Sequence, residues 1–204
     1  MILSNISIHE ALDDGRLAIE PQPAPRFNSI DGKESPYQTS SVDLTLAPNL
    51  SVEKDEQLAI SIDLRQAEKV AGTLSTLSRP IEIDPAQGFL LRPNQFVLGR
   101  TSERVKLTLP AEYTDEANGK PCLAARVEGM SSRARFGILV HFTAPTIHAG
   151  FDGTITLEIK NLGWFPFVLY RNMPICQLII EQVEGVPAPN ESQFQGQATP
   201  AGTQ

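Results

Sequence analysis

Apolar and polar residues alternate along most of this chain in short runs, with the period of two that half-buried strands require. Val42, Leu44 and Leu46 alternate with Ser41, Asp43 and Thr45. Similar runs lie at Phe96-Val97-Leu98, Val105-Lys106-Leu107, and residues 136–143, 154–160, 166–170 and 175–180, separated by turn residues. In 154–160, Ile155, Leu157 and Ile159 fall on one face, and Thr154, Thr156, Glu158 and Lys160 on the other. The N-terminus differs. Ser7 and Glu10 have capping-box spacing, Ile8, Ala11 and Leu12 form one apolar stripe, and Gly15 can close the helix. Residues 65–72 suit a short helical turn, 20–38 an irregular excursion rich in Pro, Ser, Asn and Gly, and 113–120 a hairpin insertion around Asn118-Gly119. After Glu184 the composition of Pro, Gly, Gln, Ser and Thr cannot form a core by itself. The pattern predicts one mostly-β domain over residues 1–184, a jelly-roll-like or distorted barrel with a short N-terminal helix, followed by an extended tail over 185–204.

A chain of 204 residues, 41% hydrophobic, can bury a substantial core. Its net charge of −7 argues against general binding to nucleic acid or an anionic membrane, which needs a broad cationic surface. A nucleotide, needing only a few local donors, is still compatible. No stretch reads as a signal peptide or transmembrane span, and a cytoplasmic location is expected. The soft ligands are Cys122, Cys176, His9, His141 and His148. A zinc deaminase needs His-x-Glu and Pro-Cys-x-x-Cys segments. Pro121-Cys122 is followed by Leu-Ala-Ala, and His9-Glu10 lacks the intervening residue, so protein-bound zinc is not expected. Both cysteines read as buried, reduced thiols, and His141 as a structural hydrogen-bonding residue.

Two segments carry candidate chemistry. Val127 to Ile138 reads Val-Glu-Gly-Met-Ser-Ser-Arg-Ala-Arg-Phe-Gly-Ile: paired hydroxyls in a turn with arginines behind them. Ile147 to Glu158 reads as a hairpin leading into a strand with a carboxylate. Taken alone, such serines are ordinary turn residues and such a glutamate an ordinary surface group. Together, and in order with Ser41-Val42-Asp43-Leu44, Phe96-Val97-Leu98-Gly99, His141-Phe142-Thr143-Ala144 and Ile175-Cys176-Gln177-Leu178, they resemble the dCTP deaminase and trimeric dUTPase superfamily.

That resemblance implies a dUTPase-like fold, a homotrimer with active sites between subunits, and metal-independent hydrolytic deamination of dCTP to dUTP and ammonia. Mg²⁺ would arrive on the triphosphate. It assigns acid–base catalysis to Glu158, positioning to Ser131 and the backbone of Ala144, and electrostatic support to Arg135. Burial would raise the Glu158 pKa and Arg135 would lower it. Ser132 and nearby turn groups would meet the phosphates, and Phe151 would crowd the deoxyribose. Gln177 is expected among the substrate contacts, and Gln193 and Gln197 in a tail segment that closes over the nucleotide. Gly150 and Gly153 suit the hairpin, where backbone must come close.

Several positions depart from the family pattern. His148 stands where an aspartate is usual, which disfavours a second, diphosphatase reaction, and Thr146 where a longer basic side chain is common. Met130 replaces an arginine, Gln193 replaces a lysine, and a tail tyrosine has no counterpart. Arg133 occupies a usually apolar position, and would share a strand face with Arg135 if a strand has begun there. Three explanations follow: Arg133 replaces the charge lost at 130, the substrate carries fewer phosphates, or the protein binds nucleotides or partners with reduced catalysis. The alternatives to a deaminase are therefore a dUTP diphosphatase or bifunctional enzyme, and a regulatory nucleotide-binding protein.

Overall fold

The structure, a computed structural model, describes residues 1–54, 63 and 70–188. Helix α1 spans Asn5–Asp13, and strands β1 to β4 span Leu17–Glu20, Tyr37–Gln38, Ser41–Thr45 and Asn49–Glu53. Helix α2, Val70–Leu77, precedes β5 at Ser78–Glu82, β6 at Phe89–Leu91, β7 at Phe96–Leu107 and β8 at Cys122–Gly129. Helix α3 is Ser131–Ala134, followed by β9 at Ile138–Val140, β10 at Thr146–Ile147, β11 at Asp152–Asn161, β12 at Phe167–Leu169 and β13 at Pro174–Val183.

These strands form two main antiparallel sheets. One runs β5-β4-β7-β11-β9 with β1 also on β7, and the other runs β10-β8-β13-β3-β2. A two-stranded ribbon joins β12 to β6, and no closed barrel forms among the described residues. The mostly-β expectation is met as a two-sheet packing. Leu44, Leu46, Leu50, Leu157, Ile159, Ile175 and Leu178 are fully buried in one continuous core. Each contributes ~1.5–3 kcal/mol by leaving water. Strand β11 shows the predicted alternation: Ile155, Leu157 and Ile159 are buried while Thr154, Thr156, Glu158 and Lys160 are half-buried on the opposite face.

Local expectations needed correction where partners distant in sequence decide the outcome. The runs at 96–98 and 105–107 are the two ends of one 12-residue strand, β7, whose length is supported by β11 along one edge and by β4 and β1 along the other. Helix α1 is capped by Ser4, which accepts from the backbone N–H of Ser7, so Ser7 lies inside the first turn. Gly15, with φ of +79°, follows the C-cap as expected. Residues 147–152 do not form a hairpin, because β10 pairs with β8 and β11 pairs with β7 and β9. The segment is a crossover between sheets, turned at Gly150, where φ is +83° and Leu109 leaves little room for a side chain. Residues 113–120 form turns without strands, and the 65–72 expectation falls mostly outside the described residues, with α2 beginning at Val70.

Candidate active site

Glu158 occupies the middle of β11, opposite Leu98 of β7. Strand alternation turns its carboxylate away from the core, into an open cleft of about 380 Å³ lined by Phe96, Phe142, Thr143, Ala144, Glu158 and Lys160. The edge strand β9 stops at Val140, and the next residue, His141, adopts φ of +69°. That turn sends the chain across the end of Glu158 and carries residues 142–144 along the cleft wall. The backbone N–H of His141 bonds the carbonyl of Glu158 at 2.9 Å, fixing the turn to β11.

The imidazole of His141 then lies between two acceptors. Its Nδ1 is 2.6 Å from Oε2 of Glu158, and its Nε2 is 2.7 Å from the carbonyl oxygen of Ala144. The ring N–H is poorly aligned with Oε2, so the first contact is mainly electrostatic rather than a straight hydrogen bond. An imidazole facing two acceptors is best satisfied with both nitrogens protonated. Burial pushes the His141 pKa down, but Glu158 and the Ala144 carbonyl more than reverse this, and the net shift is upward. Burial pushes Glu158 up, yet His141 and the backbone N–H of Phe142 bring it below the ordinary carboxylate range. Within one chain the counter-charge that opposes burial at Glu158 is His141. His141 is the hydrogen-bonding residue expected, through the Ala144 carbonyl, and it also meets the Glu158 carboxylate.

Ser131, Ser132 and Arg135 are exposed on and just after α3, and no hydrogen bond or ion pair joins them to Glu158 among the described residues. One chain thus unites Glu158 with Ala144 and leaves the serines and Arg135 facing outward. The turn at 131–134 is helical, closed by bonds from the N–H groups of Arg133 and Ala134 to the carbonyl of Met130, both at 3.0 Å. Arg133 and Arg135 consequently do not share a strand face. Arg133 is half-buried; burial pushes its pKa down, opposed by Asp43 and Cys176.

The remaining expected contacts are scattered in one chain. Thr146 is exposed in β10, opposite Arg126, and His148 is exposed at the crossover. Phe151 is half-buried and packs against the core. Gln177 donates from Nε2 to Oδ1 of Asp43 at 2.9 Å. Gln193 and Gln197 lie outside the described residues. Reasoning from sequence missed the Phe96–Phe142 pair, whose rings meet edge-on at 5.8 Å on the cleft wall, and Lys160, two residues beyond Glu158 on its face. Lys160 was legible from alternation; the ring pair joins β7 to the loop after β9 and left no local signal. Both cysteines are buried free thiols. Among the described residues no group of three or more His, Cys, Asp or Glu side chains is placed to hold a metal ion. No helix among them is long and apolar enough to cross a membrane.

This two-sheet architecture is shared with the solved 2'-deoxycytidine 5'-triphosphate deaminase of Agrobacterium tumefaciens, with a TM-score of 0.57 at 22% identity over 89% of this chain. The chain spans about half, 48%, of the length of that structure. A sequence model of the family described as dCTP deaminase-like matches residues 2–183, and the chain belongs to that family. The dUMP-forming dCTP deaminase of Dictyoglomus thermophilum is 40% identical over 178 residues, covering 87% of this chain and 78% of the relative. The dCTP deaminase of Natronomonas pharaonis is 33% identical over 212 residues, covering 98% and 92%.

Proposed function

We propose that this protein is a hydrolase that removes the 4-amino group of dCTP as ammonia, with Glu158 as the acid–base group. The observation that carries this reading is the Glu158 carboxylate, held ionised in an open cleft by His141 in a chain whose relatives bear the name dCTP deaminase. Water adds to C4 while Glu158 takes its proton, and Glu158 returns that proton to N3 of the ring. The tetrahedral intermediate then transfers its remaining hydroxyl proton through Glu158 to the amino group. Ammonia leaves and the uracil carbonyl forms.

Ser131, Arg135 and the backbone at Ala144 are the positioning and electrostatic groups, and fixed donors of this kind are each worth ~10²–10³-fold in rate. Because Ser131 and Arg135 are exposed and make no contact with Glu158 among the described residues, the site is completed by a second copy, in a homotrimer. Phe136, Leu162, Trp164 and Phe165 flank α3 with exposed apolar surface suited to such contact. The Phe96–Phe142 wall gives the base an apolar surface to pack against, and Ser132, His148, Thr146, Phe151 and the tail glutamines complete sugar and phosphate binding. Mg²⁺ enters on the phosphates and no zinc takes part.

The immediate product is dUTP. A second reading, onward hydrolysis to dUMP, is favoured by the name of the Dictyoglomus thermophilum relative and disfavoured by His148, a weak substitute for a carboxylate beside Mg²⁺ and phosphate. Incubation with dCTP and Mg²⁺, followed by chromatography, separates the readings. Conversion to dUTP that is lost in Glu158→Ala supports deamination, dUMP supports the two-step reaction, and no turnover of dCTP, dCMP or dUTP refutes both.

A further inference from the structure

His9 lies on α1, away from the Glu158 cleft, in surroundings that suit only one of its charge states. It is 6% exposed, and neither ring nitrogen has a hydrogen-bond partner among the described residues. The ring meets Phe27 edge-on at 4.8 Å and Tyr37 edge-on at 4.5 Å. Asp13 stands one helical turn further on, and residues four apart on a helix share a face. Its two carboxylate oxygens accept from Nη1 and Nη2 of Arg26 at 3.0 and 2.7 Å. Arg26 and Phe27, adjacent in the excursion between β1 and β2, thus hold neighbouring positions of that helix face, one by an ion pair and the other by a ring contact. The excursion is held together by bonds of its own: the N–H of Ser35 donates to Oδ1 of Asn28 at 2.8 Å, and the Ser35 hydroxyl donates to the carbonyl of Pro25 at 2.9 Å. Arg26 and Phe27 are where it grips α1.

A neutral imidazole is tolerated in this place and an imidazolium is not. Protonation gives the ring a charge and a second N–H donor, and a buried charge without a partner is costly. The charged and titratable groups that bear on the ring are Arg26 of the excursion, Asp13 of its own helix and the Tyr37 phenol of β2. Arg26 repels a second cation. Asp13 attracts it, but both of its oxygens are committed to Arg26. The phenol of Tyr37, raised by burial, carries no charge in acid. Burial is the largest influence on the His9 pKa, Arg26 adds to it, Asp13 opposes it, and the net shift is downward. We propose that His9 and Asp13 of α1, with Phe27 and Arg26 of the excursion, form an acid-released clip. Uptake of a proton by His9 drives its ring from between Phe27 and Tyr37 and frees the excursion from α1, while the two sheets stay folded. The clip is separate from the Glu158 cleft and does not depend on the deaminase reading. Because His9 is lowered, the closed clip loses stability as pH falls below the ordinary histidine value of about 6.5, and goes on losing it down to the folded value. One proton is gained on opening, so the open-to-closed ratio should rise by up to ~10-fold per pH unit across that interval.

The test follows the full chain by NMR from about pH 7.5 to 5, the range in which histidines titrate, with labelled histidine and phenylalanine. In wild type the His9 ring should titrate below the ordinary histidine value. The Phe27 ring signals should leave their packed positions for free-chain ones over the same interval. Phe89 and Phe167, which pack against the core, should keep theirs. His9→Leu fills the space without a titrating group, and its Phe27 signals should not change with pH. A His9 ring that titrates at or above the ordinary value overturns the proposal, as does a wild-type Phe27 that stays packed to the acid end. So does a Phe27 released in His9→Leu as it is in wild type. Loss of the Phe89 and Phe167 signals together with those of Phe27 marks global unfolding and overturns it as well. Should His9→Leu fail to fold, His9→Phe makes the same comparison, and the ring titration needs no variant.

Discussion

Nδ1 of His141 lies 2.6 Å from Oε2 of Glu158, so the candidate general base and a histidine from the end of the neighbouring strand titrate against each other. Glu158 is lowered, so its share of the pair's stability is present above its unfolded pKa and is lost as pH falls through the folded value. His141 is raised, so its share is complete below its unfolded pKa and disappears as pH rises through the folded value. The ion pair therefore holds between the lowered Glu158 value and the raised His141 value. Replacing His141 by Gln leaves burial at Glu158 opposed only by backbone N–H groups such as that of Phe142, and the acid limb of kcat/KM for dCTP should move to higher pH. An acid limb that stays in place would show that the contact does not tune the base.

The separation of Ser131 and Arg135 from Glu158 within one chain makes a second outcome measurable. Ser131→Ala and Glu158→Gln should each be inactive alone. Mixed by unfolding and refolding together, they should recover activity, because a shared site can take its serine from one copy and its glutamate from the next. Random assembly predicts about a quarter of wild-type sites restored. No recovery in verified mixed oligomers would place all the groups in a single chain.

Asp14 closes helix α1 and is almost fully buried, with Arg16 at 3.0 Å and Lys120 at 2.8 Å from its carboxylate. Burial raises its pKa, but the Lys120 and Arg16 contacts and the Arg16 backbone N–H carry it below the ordinary range. Asp14→Ala leaves the buried Arg16 without its counter-ion and should cost ~3–5 kcal/mol in denaturant unfolding near neutral pH. The deficit should shrink in acid, because wild-type Asp14 loses its contribution as pH falls through its lowered folded pKa. A variant within 1 kcal/mol of wild type, by the usual scale of surface substitutions, would show that the pair contributes little.

What could be read from the sequence was whatever repeats along one strand. The alternation in β11 placed Glu158 opposite the core with no knowledge of its neighbours, and the apolar positions of β3 and β13 were legible for the same reason. What could not be read depends on contacts between distant residues. His141 follows a strand end in a left-handed conformation, so counting by twos from Val140 says nothing about where its ring goes. The four-residue helix α3 is too short to show a helical period. The crossover at Gly150 resembles a hairpin because its flanks are strands, although each pairs in a different sheet.

The loop after β11 is locked to the turn after α3, and this contact offers a way to disturb the site without touching it. Asn161 is fully buried, donates from Nδ2 to the carbonyls of Leu91 and Phe165 at 3.1 and 2.8 Å, and accepts from the N–H of Gly163 at 2.8 Å. Gly163 in turn lies against Gly137, where φ is +95° and an added Cβ would come within 2.5 Å of the Gly163 nitrogen. Backbone faces backbone there, so no flexible side chain can move aside. Gly137→Ala therefore combines a left-handed conformation with a steric conflict, together costing on the order of 2–4 kcal/mol. Because the N–H of Gly137 bonds the carbonyl of Ala134 at 2.9 Å, relief of the conflict must shift α3. Positions on α3 serve the proposed nucleotide contacts, whereas the Glu158–His141 pair hangs from β9 and β11. The variant should accordingly lower the melting temperature and weaken dCTP binding, while the acid limb of kcat/KM keeps its wild-type position. A displaced acid limb would instead show that the turn at 137 also holds the base in register.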